Sequence, residues 1–223
     1  MSDLPVPRQI VWQPVSDWPT LTTGECHLWQ LDLASFPEQP MLLDATEQKR
    51  WQGMKPLAAR RFCATRTALR QLLGHYLCCE PAEVAIQLGT QGKPELIATA
   101  QPLFFNLSHS AEVAVLAFYA TGPVGVDVER PRRISAVPQI AKRIFAAPEC
   151  DYLHRSGDDP HIFLRLWVRH EARQKCLGLG LLQQVPEPVA LDYFAGTWSN
   201  GLQLGLAWAS QPVPPELHFF QLH

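Results

Sequence analysis

Asp127 and Glu129 stand two residues apart in the segment Gly122-Pro-Val-Gly-Val-Asp-Val-Glu129. In an extended chain successive side chains leave opposite faces, so Val124, Val126 and Val128 share one face while Gly125, Asp127 and Glu129 share the other. Two carboxylates on one strand face repel each other, and a cation between them relieves the repulsion. A hard divalent ion such as magnesium suits oxygen ligands, and Gly125 leaves room beside them. The alternative is a solvated edge strand that carries two surface acids.

Further polar residues flank this pair. Phe104-Phe-Asn-Leu-Ser-His-Ser110 precedes it, and Glu171 and Lys175 follow it, one helical turn apart on a ridge with Leu164 and Trp167. Taken alone, Glu171 and Lys175 also read as an i,i+4 ion pair at the border of a core, worth about 0.2–0.5 kcal/mol. His170-Glu171 does not open a zinc motif, because the position of the second histidine is Gln174. Gly92-Lys93 is followed by proline and is not a phosphate-binding loop.

The elements that must hold these residues follow from local pattern. Cys26–Leu33 alternates as a strand, and Pro37 and Pro40 punctuate the loop after it. Helical spacing begins at Thr46 and restarts at Pro56, a first-turn proline. Ala58, Phe62, Thr65, Leu69, Leu72 and Tyr76 then form one buried stripe. Arg60, Arg61, Arg66 and Arg70 fall off that stripe and read as a solvated basic face. Short strands are expected at Val84–Leu88, Glu95–Ile97, Leu103–Phe105 and Val113–Phe118, with the turn 89–94 between the first two.

Gly122-Pro123 marks a boundary between two stretches of similar size, 1–121 and 122–223. Helices are expected at Ile140–Phe145, Ala147–Leu153 and Phe163–Leu177, the last ended by Gly178 and Gly180. Three strands, Val189–Phe194, Leu202–Trp208 and Leu217–Leu222, are expected to complete the second sheet.

Composition sets the class. The 223 residues are 47% hydrophobic and 18% charged, as in an ordinary globular protein. No apolar run approaches the roughly 18–20 residues of a membrane span, and the leading Met-Ser-Asp-Leu-Pro has no basic and apolar signal pattern, so a cytoplasmic protein without a membrane partner is expected. Six cysteines without a C-x-x-C pair argue against a zinc ribbon or a redox dithiol. A net charge of −2 gives no basis for nucleic-acid binding.

In order along the chain, Arg60-Arg-Phe62, Arg66-Thr67, Gly92-Lys-Pro94, Phe105-Asn-Leu-Ser-His-Ser110, Gly125-Val-Asp-Val-Glu129 and Trp167-Val-Arg-His-Glu-Ala-Arg-Gln-Lys175 resemble the phosphopantetheinyl transferases, in particular the long, monomeric, surfactin-synthetase type. The likeness runs from about residue 46 to 182. It implies an α+β fold of two similar α/β subdomains, each a long helix on a small antiparallel sheet, related by a pseudo-twofold axis with the site between them. Residues 1–121 would serve the 3′-phosphate and adenine of coenzyme A, and 122–223 would carry the acids. It implies transfer of the 4′-phosphopantetheine arm of coenzyme A to a serine of an apo acyl or peptidyl carrier protein, with release of 3′,5′-ADP, as in holo-acyl-carrier-protein synthases. Fatty-acid, polyketide and nonribosomal-peptide carriers all present such a serine.

The same resemblance implies roles for single residues. Asp127, Glu129 and Glu171 match the magnesium ligands, and Glu171 also matches a base acting on the serine hydroxyl directly or through water. Lys175 would meet the diphosphate and stabilise the departing nucleotide. Arg66, Thr67, Ser108 and His109 match the positions that hold the 3′-phosphate and ribose, and Lys93 and Pro94 the turn against adenine and phosphates. Glu149 matches a further acid, an outer metal ligand. The family usually has lysine before the metal-binding glutamate; here His170 stands there, a group that titrates at about 6.5 when unperturbed. That departure is the one feature favouring a non-catalytic or weakly active coenzyme A and carrier-binding paralogue over the enzyme.

Overall fold

The computed structural model describes residues 6–89, 91–97, 99, 101–180, 190–198 and 201–223. Residues 1–5, Thr90 of the expected turn, residues 181–182 at the end of the family likeness, and Val189 of an expected strand lie outside the described residues. The chain begins with β1 (Arg8–Gln9), β2 (Gln13–Pro14) and β3 (Glu25–Asp32), followed by helices α1 (Ala45–Gln52) and α2 (Pro56–Leu77). Five strands come next: β4 (Ile86–Leu88), β5 (Pro94–Leu96), β6 (Phe104–Ser110), β7 (Val113–Tyr119) and β8 (Val124–Glu129). Helices α3 (Val137–Ile144), α4 (Ala147–Arg155) and α5 (Pro160–Leu177) lead to β9 (Leu191–Thr197), β10 (Gln203–Ala209) and β11 (Glu216–Leu222).

Helix boundaries follow their local chemistry. Asp44 and Glu47 cap α1 reciprocally, each carboxylate accepting from the other's backbone N–H at 2.8 and 3.2 Å. Proline opens α2 and α5, and each ends in the left-handed conformation, at Cys78 (φ 53) and Gly178 (φ 67).

Five strands pair in the order β2-β11-β3-β7-β6, four in the order β1-β9-β10-β8, and β4 with β5. On one face of the five-stranded sheet Trp29, Leu31, Leu116 and Phe118 pack against Ala68, Leu69 and Leu72 of α2. Its other face, with Leu28, Val115 and Ala117, meets Val124, Val126, Val128, Leu204 and Leu206 of the four-stranded sheet. Helix α5 covers the far side of that second sheet through Ala172 and Cys176 on Ala207. The layers therefore run helix, sheet, sheet, helix, which is α+β architecture with a long helix on each sheet.

Three expectations are corrected. First, β11 does not complete the second sheet; it lies between β2 and β3 of the first, parallel to both. Its side chains explain this: Phe220 and Leu222 reach the core under α2 while Leu217 and Phe219 reach the core between the sheets, and a strand apolar on both faces belongs in a sheet interior. Second, the sheets are mixed rather than antiparallel, since β1 also runs parallel to β9. Residues 8–9 thus join the second sheet and residues 13–14 the first, so both ends of the chain cross the 121/122 boundary.

Third, the arginines of α2 do not form a solvated face. Arg70 is 1% exposed and Arg66 7%. Arg70 donates at 2.8 Å to each of Asp44, Glu47 and the carbonyl of Val84, because α1 and the following turn cover that side of α2. Ala58, expected on the buried stripe, is exposed at the start of the helix.

Candidate active site

Strand β8 and helix α5 build the centre of the site together. Gly125 faces α5 so closely that a Cβ there would lie 2.9 Å from Cys176 Cα and nearer still to Ala172 O and Cys176 N. Gly205, on the neighbouring strand β10 and paired with Asp127, is pressed in the same way against the backbone of Val168. Two glycines on adjacent strands thus make a flat strip on which the helix backbone rests. The room beside Gly125 is filled by α5 rather than left for a cation. The consequence is that Glu171 and Lys175 sit directly over the acid face of β8.

Lys175 Nζ donates to Asp127 Oδ1 at 2.6 Å and to Ser108 Oγ at 3.1 Å, and stands 3.8 Å from Glu171 Oε2. Ser108 donates in turn to Asp127 Oδ1 at 2.8 Å, and Ser110 to Glu129 Oε2 at 3.1 Å. Asp127 is buried, and its second oxygen, Oδ2, has no hydrogen-bond partner. Glu171 is pushed up to about 7, first by burial and then by Asp127, against the pull of Lys175. Glu129 is also raised, by burial and by Asp127.

Lys175 therefore serves Asp127 and Glu171, while Arg132 lies 3.7 Å from Glu129. Among the described residues no three His, Cys, Asp or Glu side chains stand at metal-holding spacing, and the lysine holds the position between Asp127 and Glu171. The chemistry of the donors still fits a hard divalent cation: three carboxylates and an unpartnered buried carboxylate oxygen.

The other residues singled out by sequence divide into separate groups. His109 is exposed on β6, its pKa lowered by desolvation and then by Lys175 and Arg61, the nearby cations. Arg61 is itself ion-paired with Glu112. Arg66 has its own partners: its Nε is 3.3 Å from Glu47, its Nη1 has no partner, and it shares the Phe62 ring with Arg50. Thr67 Oγ1 accepts from Gln39 N at 3.0 Å. Among the described residues no hydrogen bond or ion pair joins Arg66 or Thr67 to Ser108 or His109.

Lys93 reaches the centre from the β4–β5 ribbon. Its Nζ donates to the carbonyls of Lys175 at 2.7 Å and Val124 at 3.2 Å, and burial lowers its pKa. With Pro94 it lines a cleft of about 420 Å³ shared with Leu103, Phe104, Pro123 and Leu177. Glu149 accepts from Ala146 N at 3.0 Å at the start of α4 and pairs with Arg169 at 3.5 Å. His170 packs its ring on Phe145, and burial with the Arg173 charge pushes it down to about 4.

Sequence reasoning gave no role to Asn106, Ser110 or Arg61. A signal for the first two was present: Asn106, Ser108 and Ser110 are polar residues at a spacing of two in a strand, the same period as Asp127 and Glu129.

A family model described as the 4′-phosphopantetheinyl transferase superfamily matches residues 123–205. The 4′-phosphopantetheinyl transferase HetI of Nostoc sp. is 34% identical over 217 residues, 93% of this chain and 90% of that protein. The 4′-phosphopantetheinyl transferase AcpT of Escherichia coli is 36% identical over 115 residues, 49% of this chain and 55% of that protein. The L-aminoadipate-semialdehyde dehydrogenase-phosphopantetheinyl transferase of Mus musculus is 30% identical over 136 residues, 55% of this chain and 44% of that protein.

Proposed function

The chain belongs to the 4′-phosphopantetheinyl transferase superfamily, and on that premise we propose that it transfers the phosphopantetheine arm of coenzyme A to the serine hydroxyl of an apo acyl or peptidyl carrier protein. The observation that carries this reading is the convergence of Asp127, Glu171 and Lys175 where α5 lies on β8. In the reaction the serine oxygen bonds to the phosphorus that bears the pantetheine arm, and the diphosphate P–O bond breaks to release 3′,5′-ADP. Glu171 would accept the serine proton, directly or through water. Lys175 stabilises the charge that develops on the leaving phosphate.

Asp127, Glu129 and Glu171 are the residues that would hold magnesium, which supplies charge neutralisation for the diphosphate. His109 and Ser108, with Arg66 and Thr67, would take the 3′-phosphate and ribose, and Lys93 and Pro94 the adenine side. The unpartnered Nη1 of Arg66 and the exposed ring of His109 support that assignment. The molecule would act in the cytoplasm as a monomer of the surfactin-synthetase type. Residues 1–121 would form the nucleotide side and 122–223 the acid side of a pseudo-twofold pair whose terminal strands are exchanged.

The paralogue that binds without catalysis rested on His170, but that ring turns to Phe145 while Lys175 supplies the cation beside Asp127. Incubation with coenzyme A, magnesium and a panel of apo carriers, followed by mass spectrometry of the carriers, tests the proposal. The wild type is expected to add the phosphopantetheine mass, and Asp127→Asn is expected to stay folded and add none. An inert wild type that binds coenzyme A and a carrier would establish the paralogue instead.

A further inference from the structure

Strands β6 and β8 are the facing edges of the two sheets, and no backbone ladder joins them among the described residues. The N–H groups of β8 that point away from β10 are met by side chains of β6. Val126 N donates to Asn106 Oδ1 at 2.8 Å, Val128 N to Ser108 Oγ at 3.3 Å and Arg130 N to Ser110 Oγ at 3.1 Å. Each pair is 20 residues apart. The match works because alternate side chains on one strand and alternate N–H groups on another both recur every second residue.

A serine hydroxyl has one proton and two lone pairs. Because each of these two accepts a β8 N–H, its proton is left for the carboxylate one residue back along β8. Ser108 donates to Asp127 and Ser110 to Glu129. Asn106 accepts from the same edge but, among the described residues, serves no carboxylate. Glu129 Oε1 also makes a looser contact, to Arg132 at 3.7 Å.

We infer that Asn106, Ser108 and Ser110 form a side-chain suture that closes the edge of β8 and, through Ser110, sets the orientation of the Glu129 carboxylate, making Ser110 a positioning residue of the acid site. The part concerning Glu129 as a ligand rests on the function proposed above. The suture itself rests on geometry alone. Without the Ser110 hydroxyl the Arg130 N–H and one oxygen of Glu129 lose their partner together, and Glu129 is left to turn toward Arg132.

Amide hydrogen exchange and manganese titration of the coenzyme-free protein test this, with Ser110→Ala and Ser110→Thr as variants. In Ser110→Ala the Arg130 amide is expected to exchange about tenfold faster while Val126 keeps its wild-type rate, since only one link of the row is cut. Manganese affinity is expected to fall at least about tenfold, as for loss of a ligand's outer partner. Ser110→Thr, which keeps the hydroxyl, is expected to restore both. Wild-type exchange at Arg130 in Ser110→Ala overturns the suture, and wild-type manganese affinity there overturns the positioning of Glu129. A wild-type protein that binds no manganese overturns the three-acid reading, and with it that positioning role, while the exchange rates still decide the suture.

Discussion

Gly125→Ala is the perturbation for which the structure gives the clearest magnitude. The added Cβ would lie 2.9 Å from Cys176 Cα and closer to Ala172 O and Cys176 N, all backbone atoms that cannot rotate aside. Ordinary carbon contacts are about 3.5–4.0 Å, so α5 must retreat by about 1 Å. Overpacking of this kind costs about 1–3 kcal/mol. For a chain of this length each kcal/mol lowers the melting temperature by about 2–4 °C, so a drop of about 2–12 °C is expected in a thermal melt. The retreat carries Glu171 and Lys175 away from Asp127, and misplacement of catalytic groups by about 1 Å costs about 100-fold in rate. Carrier modification followed by mass spectrometry reads that loss. Gly122→Ala, where a Cβ meets nothing within 4 Å, is the control and should behave as wild type. A Gly125→Ala protein that melts and turns over like the control would refute the close seating of α5 on β8 and the account of how the site is assembled.

Two further outcomes follow from buried polar groups. Glu171 has its folded-state pKa raised from 4.5 to about 7, so the folded protein holds that proton more tightly than the unfolded chain, and stability falls as pH rises through this window. In chelator-treated protein Glu171→Gln should therefore gain on the wild type by up to about 3 kcal/mol between those pH values; a difference in melting temperature that stays constant with pH would contradict the shift. Tyr76 Oη accepts from Trp29 Nε1 at 2.7 Å and shares a hydrogen bond with His27 Nδ1 at 2.9 Å. Tyr76→Phe leaves both of these partners without a bond and should cost about 2–4 kcal/mol in urea unfolding, with transfer per folded molecule unchanged. A loss below about 0.5 kcal/mol, the range of an ordinary surface substitution, would refute the network.

Much of the frame is set by local pattern. The alternation of Val124, Val126 and Val128 with Gly125, Asp127 and Glu129 assigns the two faces of β8, and the valines do meet the core between the sheets. The first-turn prolines open α2 and α5, and Gly178 closes α5, which places Glu171 and Lys175 on one side of one helix. These features depend on covalent geometry and near neighbours, so they are present in the sequence before any tertiary contact forms.

What lies opposite each face is a different matter. The space at Gly125 suits a cation or a helix equally until α5 arrives from 47 residues downstream, when Ala172 and Cys176 fill it. The arginines of α2 read as solvated because Glu47 and Asp44, which bury Arg70, come from another helix. Strand β11 joins β3 rather than β10 because cores on both sides of the first sheet take its two apolar faces. Ser110 shows its role only when the edge of β8 lies beside β6. The sequence therefore determined which residues share a face, since that follows from the repeat of the backbone. Only the tertiary structure decided what each face meets, because its partners come from distant parts of the chain and are chosen by packing and by the pairing of buried charge.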